Sequence, residues 1–175
     1  MSKVQTTENA MRKIKISKVV LNIGVGRSGE VVERAKKILE ELTGQKPCPR
    51  QAKWTVRDFG IRKGESIATM VTLRGDKAIE TLKHLLSTKE MKLPSSSFDE
   101  RGNCSFGIKE HIEIPGIKYD PEIGIFGLNT SVLLDRPGYR ISKRRRARSK
   151  VGKNHRVTQE EAITFFKEIL GVDVY

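Results

Sequence analysis

The chain has 175 residues, 37% of them hydrophobic and 31% charged, with a formal net charge of +13. That length accommodates one domain with a real core plus extensions. No stretch approaches the roughly 18 uninterrupted apolar residues of a membrane span, and residues 1–15 lack the apolar centre of a signal peptide, so a cytoplasmic protein is expected. The charge is local: Arg140 to Arg156 holds nine Lys or Arg in seventeen residues and no Asp or Glu, leaving +4 for the other 158 residues. Like charges at that density repel unless a polyanion neutralises them, and phosphate is the usual intracellular polyanion. A solvated tail is the plain alternative. Cys48 and Cys104 lie 56 positions apart with no C-x-x-C and no nearby histidine pair. Neither a zinc site nor a redox motif is supported, both thiols are read as reduced, and no metal or cofactor is expected.

Residues 1–13 are polar and aperiodic and read as a flexible arm, followed by a single domain over 14–175 that carries a basic insertion at 136–157. From Ile14 to Val25 the β-branched apolar residues favour a strand. A helix follows, with Ser28 placed to cap it, Val31, Val32, Ala35, Ile38, Leu39 and Leu42 along one face, and Gly44 to end it. Gln45 to Lys63 mixes Pro47, Pro49 and Gly60 with five cations from Arg50 onward and two aromatics, and reads as an extended loop or ragged hairpin. Ile67–Leu73 alternates as a strand. Asp76 opens a second amphipathic helix that buries Ala78, Ile79, Leu82, Leu85 and Leu86. Short strands are expected at Cys104–Ile108, Ile112–Ile114 and Thr130–Leu134, divided by turn-forming Gly, Pro, Asn and Asp. The last helix starts at a Thr158/Glu161 capping box, presents Ala162, Ile163, Phe166, Ile169 and Leu170 to the core, and stops at Gly171. The basic run is therefore anchored at both ends, which argues against a free tail.

Gly24-Val-Gly26-Arg-Ser-Gly29 is a literal G-x-G-x-x-G between a strand and a helix, as in a dinucleotide-binding enzyme. Downstream, where a parallel strand ending in a carboxylate is required, the chain reads Lys46-Pro-Cys-Pro-Arg50-Gln. Two prolines do not serve a central ladder. A tight turn beside an RNA phosphate is the better reading, with a nucleotide-binding enzyme using Gly24–Gly29 as the alternative. His84, His111 and His155 lie near no nucleophile or metal partner in sequence and are read as surface or structural histidines. Membrane binding through the basic run lacks an accompanying apolar or lipid signal.

Six blocks carry a resemblance: Lys18-Val-Val-Leu-Asn22-Ile-Gly-Val-Gly26, Leu42-Thr-Gly-Gln45-Lys-Pro47, Thr55-Val-Arg-Asp-Phe-Gly-Ile61-Arg-Lys-Gly64, Val71-Thr72-Leu-Arg-Gly75, Gly102-Asn-Cys-Ser-Phe-Gly107-Ile and Ile117-Lys-Tyr-Asp-Pro121-Glu-Ile-Gly-Ile-Phe-Gly127. In this order, from about residue 12 onward, the chain resembles the L-five family of ribosomal proteins. Asp135-Arg-Pro-Gly-Tyr139 and the basic run after it resemble that family's archaeal and eukaryotic branch. The resemblance implies an α+β fold: an antiparallel β-sheet with helices packed on one face, a concave face turned to RNA, and the basic insertion before the C-terminal helix. It implies a non-enzymatic constituent of the large ribosomal subunit's central protuberance that holds 5S ribosomal RNA through Lys18, Asn22, Gln45 and Thr72. Large-subunit RNA backbone would meet Arg140, Lys143, Arg144, Arg145, Arg146, Arg148, Lys150 and Lys153. The loop bearing Lys53, Trp54, Arg57, Phe59, Arg62 and Lys63 would reach the P-site transfer RNA, with Trp54 and Phe59 stacking on RNA or bracing the core. Neighbouring ribosomal proteins, including the small-subunit head across the subunit bridge, would be further partners. Cys104 stands where the family commonly has an aromatic, which removes a stacking group there.

Overall fold

The computed structural model describes residues 9–117 and 120–175. Strand β1 (Lys15–Gly24) leads into helix α1 (Glu30–Thr43), then β2 (Cys48–Gln51), β3 (Ser66–Leu73), α2 (Asp76–Ser87), β4 (Lys92–Leu93), β5 (Cys104–Ile108), β6 (Leu128–Asp135), the single turn α3 (Arg140–Lys143), α4 (Gln159–Phe165) and β7 (Asp173–Val174). Five strands form one sheet in the order β2-β3-β1-β6-β5, every pair antiparallel. β4 and β7 form a separate short parallel pair. The α+β class expected from the sequence is what forms.

Strand β1 is central because its apolar residues run long enough to pair on both edges. Its alternation changes phase midway. Ile14 and Ile16 pack towards the core on even positions, whereas Val19, Leu21 and Ile23 are fully buried on odd ones. A one-residue slip would turn every side chain to the other face. The pairing with β6 instead shifts register between Ile16 and Lys18, so that Ile16 faces Leu134 and Val19 faces Val132. The extra residue, Ser17, is absorbed as a bulge and both halves keep their apolar side inward.

One face of the sheet is covered. Val19, Leu21 and Ile23 of β1, Val71 and Leu73 of β3, Val132 and Leu134 of β6 and Phe106 and Ile108 of β5 pack with Ala35, Ile38 and Leu39 of α1 and Leu82, Leu85 and Leu86 of α2. Phe166, beyond α4, closes the end of this core edge-to-face on Phe98, with ring centroids 5.1 Å apart. β2 takes an outer position, as its Pro49 requires, so the ragged-hairpin reading of 45–63 resolves into an edge strand followed by a loop.

Several expectations are corrected. Ile112–Ile114 is not a strand: His111–Glu113 is one 3-10 turn, because buried His111 joins Phe126 across the loop by two bonds, N–H to carbonyl at 2.9 Å and Phe126 N–H to Nδ1 at 3.2 Å. Ser28 does not cap α1. The cap is Gly29 at φ 98°, and the Ser28 hydroxyl donates to Glu65. Ile79 lies on the flank of α2 and is exposed. Ile169 is 59% exposed, because the last helix widens into a π turn over Phe166–Leu170 and rotates it outward, while Phe165 turns inward. Of the expected arm, 1–8 lie outside the described residues, and Ala10–Arg12 form a 3-10 turn capped by Asn9. The block from Ile117 to Gly127 includes Lys118 and Tyr119, which also lie outside them.

Burial holds the His111 imidazole below its ordinary pKa of 6.5, against the smaller upward pull of Glu41 and Glu110. A base whose folded pKa is depressed binds protons preferentially in the unfolded chain. Its stabilisation is complete above pH 6.5 and is lost as pH falls through the folded value. Denaturant unfolding at about pH 7.5 and about pH 5.5, on either side of that ordinary value, should therefore show a loss of stability on acidification. His111→Gln should reduce that loss while being less stable than the parent at the higher pH.

Candidate nucleic-acid interface

The second face of the sheet lies opposite α1 and α2, with the turn α3 beside its Leu133 end, and antiparallel register shows what it carries. Asn22 lies between Met70 and Asn129, Met70 faces Cys48, and Asn129 faces Gly107. In the adjoining row Val20 lies between Thr72 and Ser131, and Ser131 faces Ser105. Lys18 is opposite Leu133. Asn22 and Thr72 are thus diagonal neighbours on adjacent strands, roughly 7–8 Å apart at the backbone. Lys18, Asn22, Gln45 and Thr72 are all half-buried, and among the described residues their side chains make no hydrogen bond or ion pair. Their polar groups are free for an outside partner.

The structure brings Lys18, Asn22 and Thr72 onto this one face. It places Gln45 in the turn between α1 and β2, just past Gly44. Asn129, Ser131 and Ser105 lie on the same face and were missed by sequence reasoning. Their signal was present in the polar alternation of β5 and β6, but only register tells which face an alternating strand turns outward. Cys104 faces the core, where burial pushes its thiol up to about 12, so it contributes nothing to this surface.

The loop from Lys53 to Lys63 is a folded projection. Val56 and Ile61 exchange backbone bonds at 2.9 and 3.1 Å, Gly60 N–H bonds Arg57 O at 2.9 Å, and Lys63 N–H bonds Thr55 Oγ1 at 3.0 Å. These bonds close the loop on itself, and most of its side chains are exposed. Trp54 is 78% exposed and Phe59 77%, so neither braces the core and both are open to stacking. The base of the loop is held by Glu65. One of its carboxylate oxygens accepts Arg62 N–H at 2.9 Å and the other accepts the Ser28 hydroxyl. These two bonds, the Arg62 amide first, keep its carboxyl below the ordinary carboxylate value.

Ser28 belongs to the glycine-rich turn. In that turn Val25 and Gly26 both donate N–H to Ile67 O, at 2.9 and 3.0 Å, and Gly26 and Gly29 sit at φ 72° and 98°. The nucleotide-enzyme alternative fails here. The strand before the glycines pairs antiparallel on both sides, so it opens no parallel βαβ unit among the described residues, and the turn braces the loop.

The basic insertion is closed at its neck. Buried Arg136 bonds Glu161 at 2.7 Å and Arg156 O at 3.3 Å, and Glu161 also accepts Thr158 N–H at 3.0 Å, completing the capping box. Tyr139 OH accepts Val157 N–H at 3.0 Å and donates to His155 O at 3.4 Å, and His155 Nε2 lies 2.8 Å from Pro137 O. Three of the cations are engaged internally: Lys143 pairs with Asp135 at 2.5 Å, Arg144 bonds Ala147 O at 2.8 Å and Arg156 bonds Val151 O at 3.3 Å. Arg140, Arg145, Arg146, Arg148, Lys150 and Lys153 are exposed and make no such contact among the described residues. Lys143 and Arg144 are therefore held as parts of the loop as well as exposed charges.

Among the described residues no group of three or more His, Cys, Asp or Glu could hold a metal ion, and no helix is long and apolar enough to cross a membrane. A one-sided sheet with a polar open face, an aromatic-tipped loop and a clamped cationic insertion together define a nucleic-acid-binding protein.

Comparison with known proteins says which. Residues 9–62 match the family described as Ribosomal protein L5, and residues 66–165 match the C-terminus of that same ribosomal family. Large ribosomal subunit protein uL5 of Pyrobaculum aerophilum is 55% identical over 94% of this chain and 92% of its own length. The proteins of that name from Nitrosopumilus maritimus and Archaeoglobus fulgidus are 52% and 51% identical, over 97% and 99% of this chain and 98% and 97% of theirs. The chain belongs to the ribosomal protein L5 family, a family of structural components of the large ribosomal subunit and not of enzymes. The two matched regions meet between β2 and β3, yet those strands pair, so one sheet spans both.

Removing the loop's brace should loosen it without unfolding the protein. In Glu65→Ala, hydrogen exchange at the Arg62 amide should accelerate by about fivefold, the effect of losing one hydrogen bond. Glu65→Gln, which keeps an acceptor for Arg62, should stay within about threefold of the parent.

Proposed function

We propose that this large-subunit protein of the cytoplasmic ribosome binds 5S ribosomal RNA on its open sheet face through Lys18, Asn22, Gln45 and Thr72. Its insertion lies along ribosomal RNA backbone, and its 53–63 loop is directed at the P-site transfer RNA. The carrying observation is the pair of diagonal side chains Asn22 and Thr72, half-buried, unbonded and flanked by further amides and hydroxyls on an otherwise uncovered sheet. Double-stranded RNA offers a wide, shallow minor groove lined with ribose hydroxyls and base edges. The open face presents short amide and hydroxyl groups, and such groups bond both riboses and phosphates. Gln45, at the sheet's margin, and Lys18, beside Leu133, extend the same surface. The loop supplies Trp54 and Phe59 for stacking and Lys53, Arg57, Arg62 and Lys63 for phosphates. Neighbouring ribosomal proteins, including those of the small-subunit head, complete its surroundings in the assembled particle.

Two kinds of variant separate the parts of this surface. Asn22→Ala and Thr72→Ala, neither of which uncovers the core, should each weaken 5S RNA binding by about 1–3 kcal/mol with little change in melting temperature. Unchanged affinity in the folded double variant removes these residues from the site.

The insertion acts through counterion release, so its contribution shows in salt dependence. The binding constant should fall with a log–log slope of roughly 0.7–0.9 per neutralised phosphate. Changing Arg140, Arg145, Arg146 and Arg148 to Gln should flatten that slope by up to about 3–4 while preserving discrimination against unrelated RNA. A retained slope on both 5S and large-subunit RNA would assign the segment to solvent or to a protein neighbour.

A further inference from the structure

We propose that the cleft between the basic insertion and the adjoining end of the open sheet face receives a single nucleotide extruded from ribosomal RNA. This site differs in kind from the backbone contacts assigned to the exposed arginines, and it rests on the reading that the insertion faces ribosomal RNA. The cleft encloses about 340 Å³, at the small end of the roughly 300–1,000 Å³ of ligand clefts.

Its walls come from both parts of the molecule. Leu133 lies on the open face opposite Lys18, and Tyr139 and Val151 come from the insertion. These groups give an apolar wall for a base. The rim is cationic, with Arg101 from the turn before β5 and Lys150 and Arg156 from the insertion. An apolar wall beneath a cationic rim fits a nucleotide better than an acidic peptide, which has little flat apolar surface to bury.

The cleft is also pre-formed. The Tyr139 hydroxyl is fixed between Val157 N–H and His155 O, and Lys143 is fixed on Asp135. The turn that carries Arg101 is positioned by Asp99, which accepts the Arg101 backbone N–H at 3.1 Å and the Asn103 side-chain amide at 3.1 Å. At Gly102, with φ +71°, a Cβ would stand 2.6 Å from Val157 Cγ1, so the turn carrying Arg101 sits hard against the end of the insertion. Groups already ordered lose little conformational entropy when a base enters.

The test fills the cleft without removing a cation. Val151→Phe and, separately, Ser142→Leu, which also removes the Ser142 hydroxyl's bond to Tyr139 O, change lining residues and no cation. Each is titrated against 5S RNA and, in a second arm, a large-subunit RNA fragment across salt, beside Arg145→Gln/Arg146→Gln. Each filled variant should lose roughly tenfold affinity for one of the two RNAs, the loss of one stacked base, with an unchanged salt slope and melting temperature. Chemical probing should then show one nucleotide whose base edge the parent protects and the filled variants expose.

Wild-type affinity in both filled variants overturns the cleft proposal. If the arginine variant still flattens the slope, the backbone reading survives that loss. If it does not, the backbone reading fails as well. Should either filled variant melt early, ultraviolet cross-linking of the unmodified chain decides. RNA joined to the peptides bearing Tyr139 or Val151 supports the pocket, and joining to another protein there, or to neither peptide, overturns it.

Discussion

Everything else in this molecule depends on covering the central sheet from one side only. Leu21, Val71, Leu73 and Val132 point into a core roofed by α1 and α2, so every alternate residue on the same strands is committed to the other face. Those alternate positions carry Asn22, Thr72, Asn129 and Ser131, which would be costly in a core and are useful on a surface. The core and the polar open face are two readings of one alternation. The bulge at Ser17 maintains it, because without that extra residue Ile16 and Val19 could not both face inward.

The charge of the chain is managed by the same economy of contacts. Nine cations in seventeen residues repel one another, and a loop carrying them would splay if left open. It is closed where it leaves and re-enters the fold. Arg136 is buried on Glu161, whose other oxygen caps the last helix, so one carboxylate ties the neck of the insertion to the start of α4. Burial pushes the Glu161 carboxyl up, and the Thr158 amide and the Arg136 guanidinium outweigh that and hold it below the ordinary carboxylate value. The remaining cations stay outward, where phosphate can neutralise them.

The aromatic loop is pre-organised in a comparable way. Its backbone bonds close on themselves, and its base is fixed by a carboxylate that reaches across to the glycine-rich turn. Two large rings are held in water with their faces open, the surface that stacking on a base would use. The Gly24–Gly29 segment, which invites a dinucleotide reading, is a bracket for this loop.

Local chemistry by itself determined a good deal. The capping box at Thr158, the amphipathic faces of α1 and α2, the strands around Val19 and Val71 and the cationic run were legible because each depends on residues a few positions apart. So was the family, through motif blocks spread over the chain. What failed in the sequence reading was decided by contacts between distant segments. His111 folded into a turn because Phe126 lay across from it, Ser28 was taken from helix capping by Glu65, and Ile169 rotated outward when the last helix widened. Which polar residues share the open face followed from strand register, since Asn22 meets Asn129 only after more than a hundred intervening residues have been placed. Periodicity along one strand says that a side is polar, and only pairing with its neighbours turns those sides into a surface.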